Sequence, residues 1–378
     1  MKLALVTETY LPEINGVAMT LDRLARGLAG RGHSVEVIRP RQGKTDAGAA
    51  AGNPRHWLVP GLPLLFYPAL RIGLPVGRRL RHRWTAARPD VVHVATEGPL
   101  GWSALFAARR LGLPVSSSFH TNFHQYTPHY LFGATRGIAF GYLRRFHNRA
   151  GCTLVPTDQV REELVAARFE RVGVLARGVD AELFSPRRRD DALRQSWGAA
   201  PADPVFVYVG RLAVEKNVDL AVQAFLRAQT FDPSARLVLV GDGPARRKLA
   251  AAYPQFYFAG MRHGEDLAAH YAAADVFLFP SITETFGNVV TEALASGLVV
   301  VGFDYAAGRQ HVVSWRNGVL VPFGDAAAFT RVAAEVLTRR TEWPAMRAAA
   351  RRTAEGLTWE KIYASFETAL ERTIAARA

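Results

Sequence analysis

The chain has 378 residues, 49% of them hydrophobic and 21% charged, with a mean hydropathy of zero. At roughly 100–200 residues per domain this points to two domains with cores of their own, and it excludes a disulfide-stapled mini-protein, a disordered chain and an integral membrane bundle. Basic residues outnumber acidic ones by 47 to 33, a formal charge of +14, so an anionic partner is expected among nucleic acid, a membrane surface and a phosphorylated small molecule. Many of these basic residues are arginines in pairs and triplets among Ala, Gly and Pro, which is also how a GC-rich genome writes an ordinary surface. The single cysteine, Cys152, allows no internal disulfide, and no leader pattern opens the chain, so the expected compartment is the cytoplasm.

Residues 2–7 read as a short buried strand, followed by a Pro/Asn/Gly turn and then Val17, Leu21, Leu24 and Leu28 at helical spacing. Gly30 and Gly32 end that helix and Ser34–Ile38 is the next strand. The rhythm recurs at Asp90–Val94, in a helix opened by Pro99 and closed by Gly112, at Pro114–Ser118 and at Cys152–Val155, which implies βαβ units and a parallel sheet. Ser185–Pro204, with Arg187–Arg189, Pro201, Pro204 and little apolar content, reads as a linker. Four apolar strands follow at Val205–Val209, Arg236–Val240, Val276–Phe279 and Leu298–Val301, separated by helices beginning near Asn217, Pro244, Glu265 and Gly287. A last helix runs from Trp359 to about Arg372, with Ile362, Phe366, Ala369 and Leu370 on one face. The expected organisation is therefore a first domain over 1–185, a linker at 186–204, a second domain over 205–358 and a terminal helix, 359–378, that packs back onto the first. Trp57–Gly77, the most nearly membrane-like stretch, is broken by four prolines and Arg71 and falls short of the ~18 uninterrupted apolar residues a spanning helix needs.

Open parallel sheets bind ligands outside the C-terminal ends of their strands, so the loops there are where chemistry is expected. The first, Thr7–Gly16, places Gly16 at a helix N-terminus whose free N–H groups suit an anion, though an ordinary βα turn needs Asn and Gly as well. The second, Val209–Asn217, carries Arg211 and Lys216, which can converge on one pair of phosphates or stand as two solvated cations. The third, Pro280–Leu294, puts Glu284 in a loop and Glu292 inside the following helix. Two carboxylates so placed can touch different parts of one elongated ligand, and carboxylates accepting from hydroxyls suit sugars.

The stretch Glu284–Glu292 matches the Glu-x7-Glu signature of the family-4 retaining glycosyltransferases. The Gly-Arg-Leu and Glu-Lys-Asn loop, the Gly241-Asp242-Gly243-Pro244 turn, the run from Glu292 to Gly297 and the N-terminal Asn-Gly-Val resemble that family in the same order, over essentially the whole chain. The resemblance implies an α/β GT-B fold, two Rossmann-like domains facing a central cleft, in which no cofactor or metal takes part and a UDP- or GDP-sugar is the co-substrate. By it Gly16 faces the donor diphosphate, Arg211 and Lys216 bind it, Glu284 holds sugar hydroxyls and Glu292 the ribose. His120 matches the active-site histidine. Met261 and Arg262 lie with Ser281 where the base is held, and Phe286, Gly287, Asn288 and Val289 complete the donor loop. One departure is Asn15-Gly16 where many members have two glycines. The other is Arg177-Gly178-Val179-Asp180 in place of the common Asn-Gly-Val-Asp, as in the branch that builds sulfolipid and other glycolipids.

His120, His124 and His129 fit no closed tetrahedral spacing, and the Asp-x-Asp metal motif of other transferases is absent, so a metal-independent reaction is expected. On the acceptor side, Trp57–Trp84 joins aromatic residues to Arg71, Arg78, Arg79, Arg81 and Arg83 and ends at Trp84, and Tyr126–Phe146 repeats the mixture. Such segments fit the interface of an anionic bilayer, and also a core helix with a solvated face. The expected activity is hexosyl transfer to a membrane lipid at the inner face of the cytoplasmic membrane, with a soluble glycan precursor as the alternative acceptor. Nucleic acid is not an expected partner: the sequence carries no helix-turn-helix, zinc-finger or RNA-binding signature, and the basic residues are spread over both domains.

Overall fold

A computed structural model of the chain describes residues 1–13, 15–43, 46, 52–64, 67–120 and 133–377. They form two compact units, Met1–Arg177 with Glu360–Ala378, and Gly178–Trp359.

The first unit carries strands β1 (Lys2–Val6), β2 (Ser34–Pro40), β3 (Arg55–Val59), β4 (Gly61–Leu64), β5 (Tyr67–Gly73), β6 (Val91–Val94), β7 (Val115–Ser118), β8 (Cys152–Val155) and β9 (Val172–Val174). All but β4 and β5 form one parallel sheet of order β3-β2-β1-β6-β7-β8-β9, while β4 and β5 make a separate antiparallel hairpin. Its helices are α1 (Gly16–Gly30), α2 (Gly77–Ala86), α3 (Pro99–Arg110), α4 (Gly133–His147) and α5 (Asp158–Ala166). Asn15 caps α1, its side chain accepting from the N–H groups of Val17 and Ala18, which is why the helix starts at Gly16. In α2, Leu80 and Trp84 stand four residues apart and are both buried among Val59, Val92 and Leu105.

The second unit begins with α6 (Asp191–Ser196) and continues through β10 (Val205–Val209), α7 (Val218–Gln229), β11 (Arg236–Val240), α8 (Arg246–Ala252), β12 (Tyr257–Gly260), α9 (Gly264–Ala272), β13 (Val276–Phe279), α10 (Asn288–Ala295), β14 (Val299–Phe303), α11 (Ala306–His311), β15 (Gly318–Val321), α12 (Ala326–Thr338) and α13 (Trp343–Glu355). Its parallel sheet has the order β12-β11-β10-β13-β14-β15. Strands such as Val-Phe-Val-Tyr-Val and Val-Phe-Leu-Phe are buried throughout because both faces of the sheet are covered. Phe206 and Tyr208 of β10 join one core while Val205, Val207 and Val209 join the other, as the two-residue period of a strand requires.

The segment 186–204 is not a free linker but part of the second unit. The Arg194 side chain is buried and donates to the carbonyls of Ala273 and Asp203 and to the Asp275 carboxylate, and Trp197 is buried in the core. The last helix, α14 (Trp359–Ala375), belongs to the first unit from Glu360 on. Phe366 packs edge-on against His93, and Glu367 pairs with Arg31 and His33. A Cβ on Gly27 would lie 2.3 Å from the Tyr363 ring, so only glycine lets α14 approach α1 this closely.

Candidate functional site

Both sheets reverse their strand order once, between β1 and β6 in the first and between β10 and β13 in the second, and the loops leaving these strands are where an open parallel sheet binds its ligand. In the second unit these are Gly210–Asn217 and Pro280–Gly287, the two loops that carry Arg211, Lys216 and Glu284.

The structure joins them directly. Lys216 Nζ lies 2.6 Å from Glu284 Oε1 and 3.0 Å from the Thr283 carbonyl, and Ser281 Oγ donates to the same Glu284 oxygen at 2.9 Å. Tyr305 anchors the loop, its hydroxyl donating to the Glu284 carbonyl at 2.5 Å, and Thr283 Oγ1 ties it to the Glu215 carbonyl. Arg211 extends from the first loop to Glu215 at 3.2 Å with half of its side chain exposed. Backbone packing holds the loops: Gly241 has φ of 132° and a Cβ there would sit 2.0 Å from the Gly210 carbonyl oxygen. Gly287, with φ of 92°, turns the chain into α10, where Asn288 and Val289 are half-buried at the first turn and Phe286 is buried beneath. Glu292, one turn further, accepts from the Tyr271 hydroxyl at 3.0 Å, and burial together with that carboxylate holds the phenol well above its ordinary range.

Met261 and Arg262 follow β12. Met261 is exposed, and Arg262 is turned to the Ala259 carbonyl and to Asp266 rather than to Glu284 or Glu292.

In the first unit, Gly16 opens α1 and its carbonyl accepts from Thr20 Oγ1. His120 stands two residues beyond β7, its Nδ1 3.4 Å from an Arg177 nitrogen. Burial, then Arg177, then His93 and His147 hold its pKa well below the ordinary histidine value. His124, His129 and the part of Tyr126–Phe146 before α4 lie outside the described residues; among the described residues no group of three His, Cys, Asp or Glu is placed to hold a metal ion.

Three features escaped the sequence. Glu8, after β1, reaches under the start of α3 and accepts from the Leu100 N–H at 2.9 Å, an approach that Gly98 permits since a Cβ there would fall 1.8 Å from Glu8 Oε2. Burial, with Glu97 adding to it, lifts its carboxyl to about 7. Tyr271 and Arg177 were not assigned to the site either; the only signal was the exchange of Asn for Arg at 177.

The surface reading of α2 is corrected in part. Trp84 is 1% exposed and belongs to the core, and Arg83 is paired with Glu36 and lies over Trp57. Arg78 and Arg79 are exposed and Arg81 half-buried. No helix among the described residues is long and apolar enough to cross a membrane.

Known proteins resemble the chain over most of its length. The model for Glycosyltransferase Family 4 matches residues 14–183 and that for Glycosyl transferases group 1 matches 203–339. The chain is 37% identical to a GDP-mannose-dependent alpha-mannosyltransferase of Mycobacterium tuberculosis, over 86% of its length and 84% of the relative's. It is 28% identical to the alpha-monoglucosyldiacylglycerol synthase of Acholeplasma laidlawii, over 80% of this chain and 81% of that one. Among solved structures, sucrose-phosphate synthase from Thermosynechococcus elongatus superposes with a TM-score of 0.79 over 99% of both chains at 20% identity, a likeness of fold.

Proposed function

The chain belongs to the family-4 glycosyltransferases and is a hexosyltransferase of GT-B fold, and from that premise we propose that it moves mannose, with retention, from GDP-mannose to the headgroup of a membrane lipid. The observation that carries the reading is the meeting of Lys216 and Glu284 across the switch point of the second sheet. The donor is supported by the GDP-mannose-dependent alpha-mannosyltransferase relative and the lipid acceptor by the alpha-monoglucosyldiacylglycerol synthase relative.

Breaking the bond between the sugar C1 and the diphosphate builds negative charge on the leaving phosphate. A cation ~4 Å away contributes about 4 kcal/mol at an effective dielectric of 20, so Lys216 and Arg211, with the N-terminus of α10 behind them, outweigh any general base on this side. Before the donor binds, Glu284 holds the Lys216 ammonium in place. With the donor bound, Lys216 turns its charge to the phosphate and Glu284 accepts from sugar hydroxyls. The ribose hydroxyls go to Glu292. The acceptor hydroxyl attacks from the face the diphosphate leaves, and the departing phosphate oxygen takes its proton, so charge and protons balance without a covalent sugar intermediate or a metal ion. Arg78, Arg79 and Arg81 bring the enzyme to anionic lipid, each contributing about 1 kcal/mol at the surface.

The test offers GDP- and UDP-sugars with a total membrane lipid extract and reads new glycolipids by mass spectrometry, with and without chelator. A mannosylated lipid formed from GDP-mannose, undiminished by EDTA, is the expected result. Transfer only to soluble glycans would overturn the lipid acceptor, and loss of activity with EDTA the metal-independent route.

A further inference from the structure

The Asn-to-Arg exchange at position 177 has no part in the chemistry described so far. Its side chain is 4% exposed, and among the described residues its hydrogen-bond partners are Thr20 Oγ1 and His120 Nδ1, neither of them a carboxylate. The stretch 121–132 that follows His120 contains no Asp or Glu. A buried guanidinium without a carboxylate is costly to keep, and burial alone draws its pKa down to about 10.

The two contacts constrain the histidine. A guanidinium has N–H donors and no acceptor, so the His120 atom facing it accepts, and Nδ1 therefore carries a lone pair. The Nδ1–H tautomer would set donor against donor, and the imidazolium would add like charge to that conflict. The remaining neutral form has its proton on Nε2. That nitrogen is buried and has no partner among the described residues. The same guanidinium donates to Thr20 Oγ1, which in turn donates to the Gly16 carbonyl, so one side chain braces both His120 and the first turn of α1.

We propose that Arg177 is a positioning residue that holds His120 as the neutral Nε2–H tautomer, so that this one N–H is presented to the substrate as a hydrogen-bond donor and never serves as a proton acceptor. The role of the donor in sugar transfer rests on the function proposed above; the tautomer does not. The other imidazoles near His120 oppose its protonation without choosing a tautomer: His93, held between Ser116 and Ser118 with its pKa pressed to about 3, and His147, between Ser117 and Glu97.

The test is nitrogen NMR of the full chain labelled with 15N-histidine, the His120 signal being assigned by its loss in His120→Gln. From about pH 5 to about pH 8 the wild-type signal should show a protonated Nε2 and a bare Nδ1. An Nδ1–H form or an imidazolium in that range overturns the proposal. Arg177→Met should shift the population toward Nδ1–H and lower kcat about tenfold, the effect of one charge-assisted hydrogen bond, while Arg177→Lys, which keeps a donor, restores the Nε2–H signal. An unchanged tautomer in a folded Arg177→Met variant overturns the proposal as well. If that variant does not fold, the wild-type spectrum and Arg177→Lys decide it. Absence of transfer from any nucleotide sugar with the tautomer as described would refute the proposed function and leave the role of Arg177 standing.

Discussion

The polar clusters at the two switch points satisfy their charges in different ways. In the second unit Lys216 is neutralised by Glu284, which also takes the Ser281 hydroxyl, and the loop is pinned by Tyr305 and Thr283. Among the described residues of the first unit the guanidinium of Arg177 is buried against neutral groups, His120 keeps a buried nitrogen without a partner, and Glu8 carries a carboxyl lifted to about 7. A cluster whose charges cancel can be assembled before any ligand arrives. One with a surplus cation and an idle donor is complete only when a ligand supplies the acceptors, because buried polar groups left alone cost more than paired ones gain. On the proposed reading, the second unit holds its machinery ready and the first waits for the sugar.

The contrast is most exposed to Lys216→Ala. Removing the cation leaves Glu284 uncompensated and the leaving group without its charge, and kcat, followed by release of nucleoside diphosphate, should fall on the order of 100-fold to 1,000-fold. Turnover close to that of the unaltered enzyme would break the assignment of the second cluster. The same distinction between a paired and an exposed cation recurs within α2. Replacing Arg78, Arg79 and Arg81 together by Ser should weaken sedimentation with anionic vesicles by roughly 100-fold, from about 1 kcal/mol each, whereas Arg83→Ser, already held by Glu36, should change it little.

Glu8 sharpens the comparison through pH. Its carboxyl is raised in the fold, so the stability it lends is whole below pH 4.5, where the unfolded group is protonated too, and is lost as pH rises through about 7. Glu8→Gln, fixed in the neutral form, should escape that loss and above pH 7 exceed the unaltered protein by about 3 kcal/mol in denaturant unfolding; parallel stability–pH curves would contradict it. The smallest effect belongs to Glu292→Gln. It should raise the KM for the donor by roughly fivefold with kcat nearly unchanged, the mark of a contact made equally before and during reaction.

The second cluster was largely legible in the sequence because its parts lie in two short loops, each directly after an unbroken apolar strand. In the first only His120 and Gly16 were legible, through the family resemblance: Glu8 meets Gly98 and Leu100 from about ninety positions away, and nothing local marks the meeting. The strands Arg55–Val59, Tyr257–Gly260 and Gly318–Val321 were missed since each is short and mixes glycine or polar residues into the apolar run. Residues 186–204 misled through Arg194, whose burial is achieved by pairing and is invisible to hydropathy. Trp84 misled for the opposite reason. Its arginine neighbours suggested an interface, while its spacing of four from Leu80 already gave it to the buried side of the helix.

The return of α14 to the first unit makes the second unit, residues 178–359, an insertion between two parts of one domain. During synthesis the ribosome finishes the whole inserted body before the helix that covers His93 with Phe366 exists. The earlier-made domain is therefore the later one to close its core, and until then His93 lacks the ring that covers it.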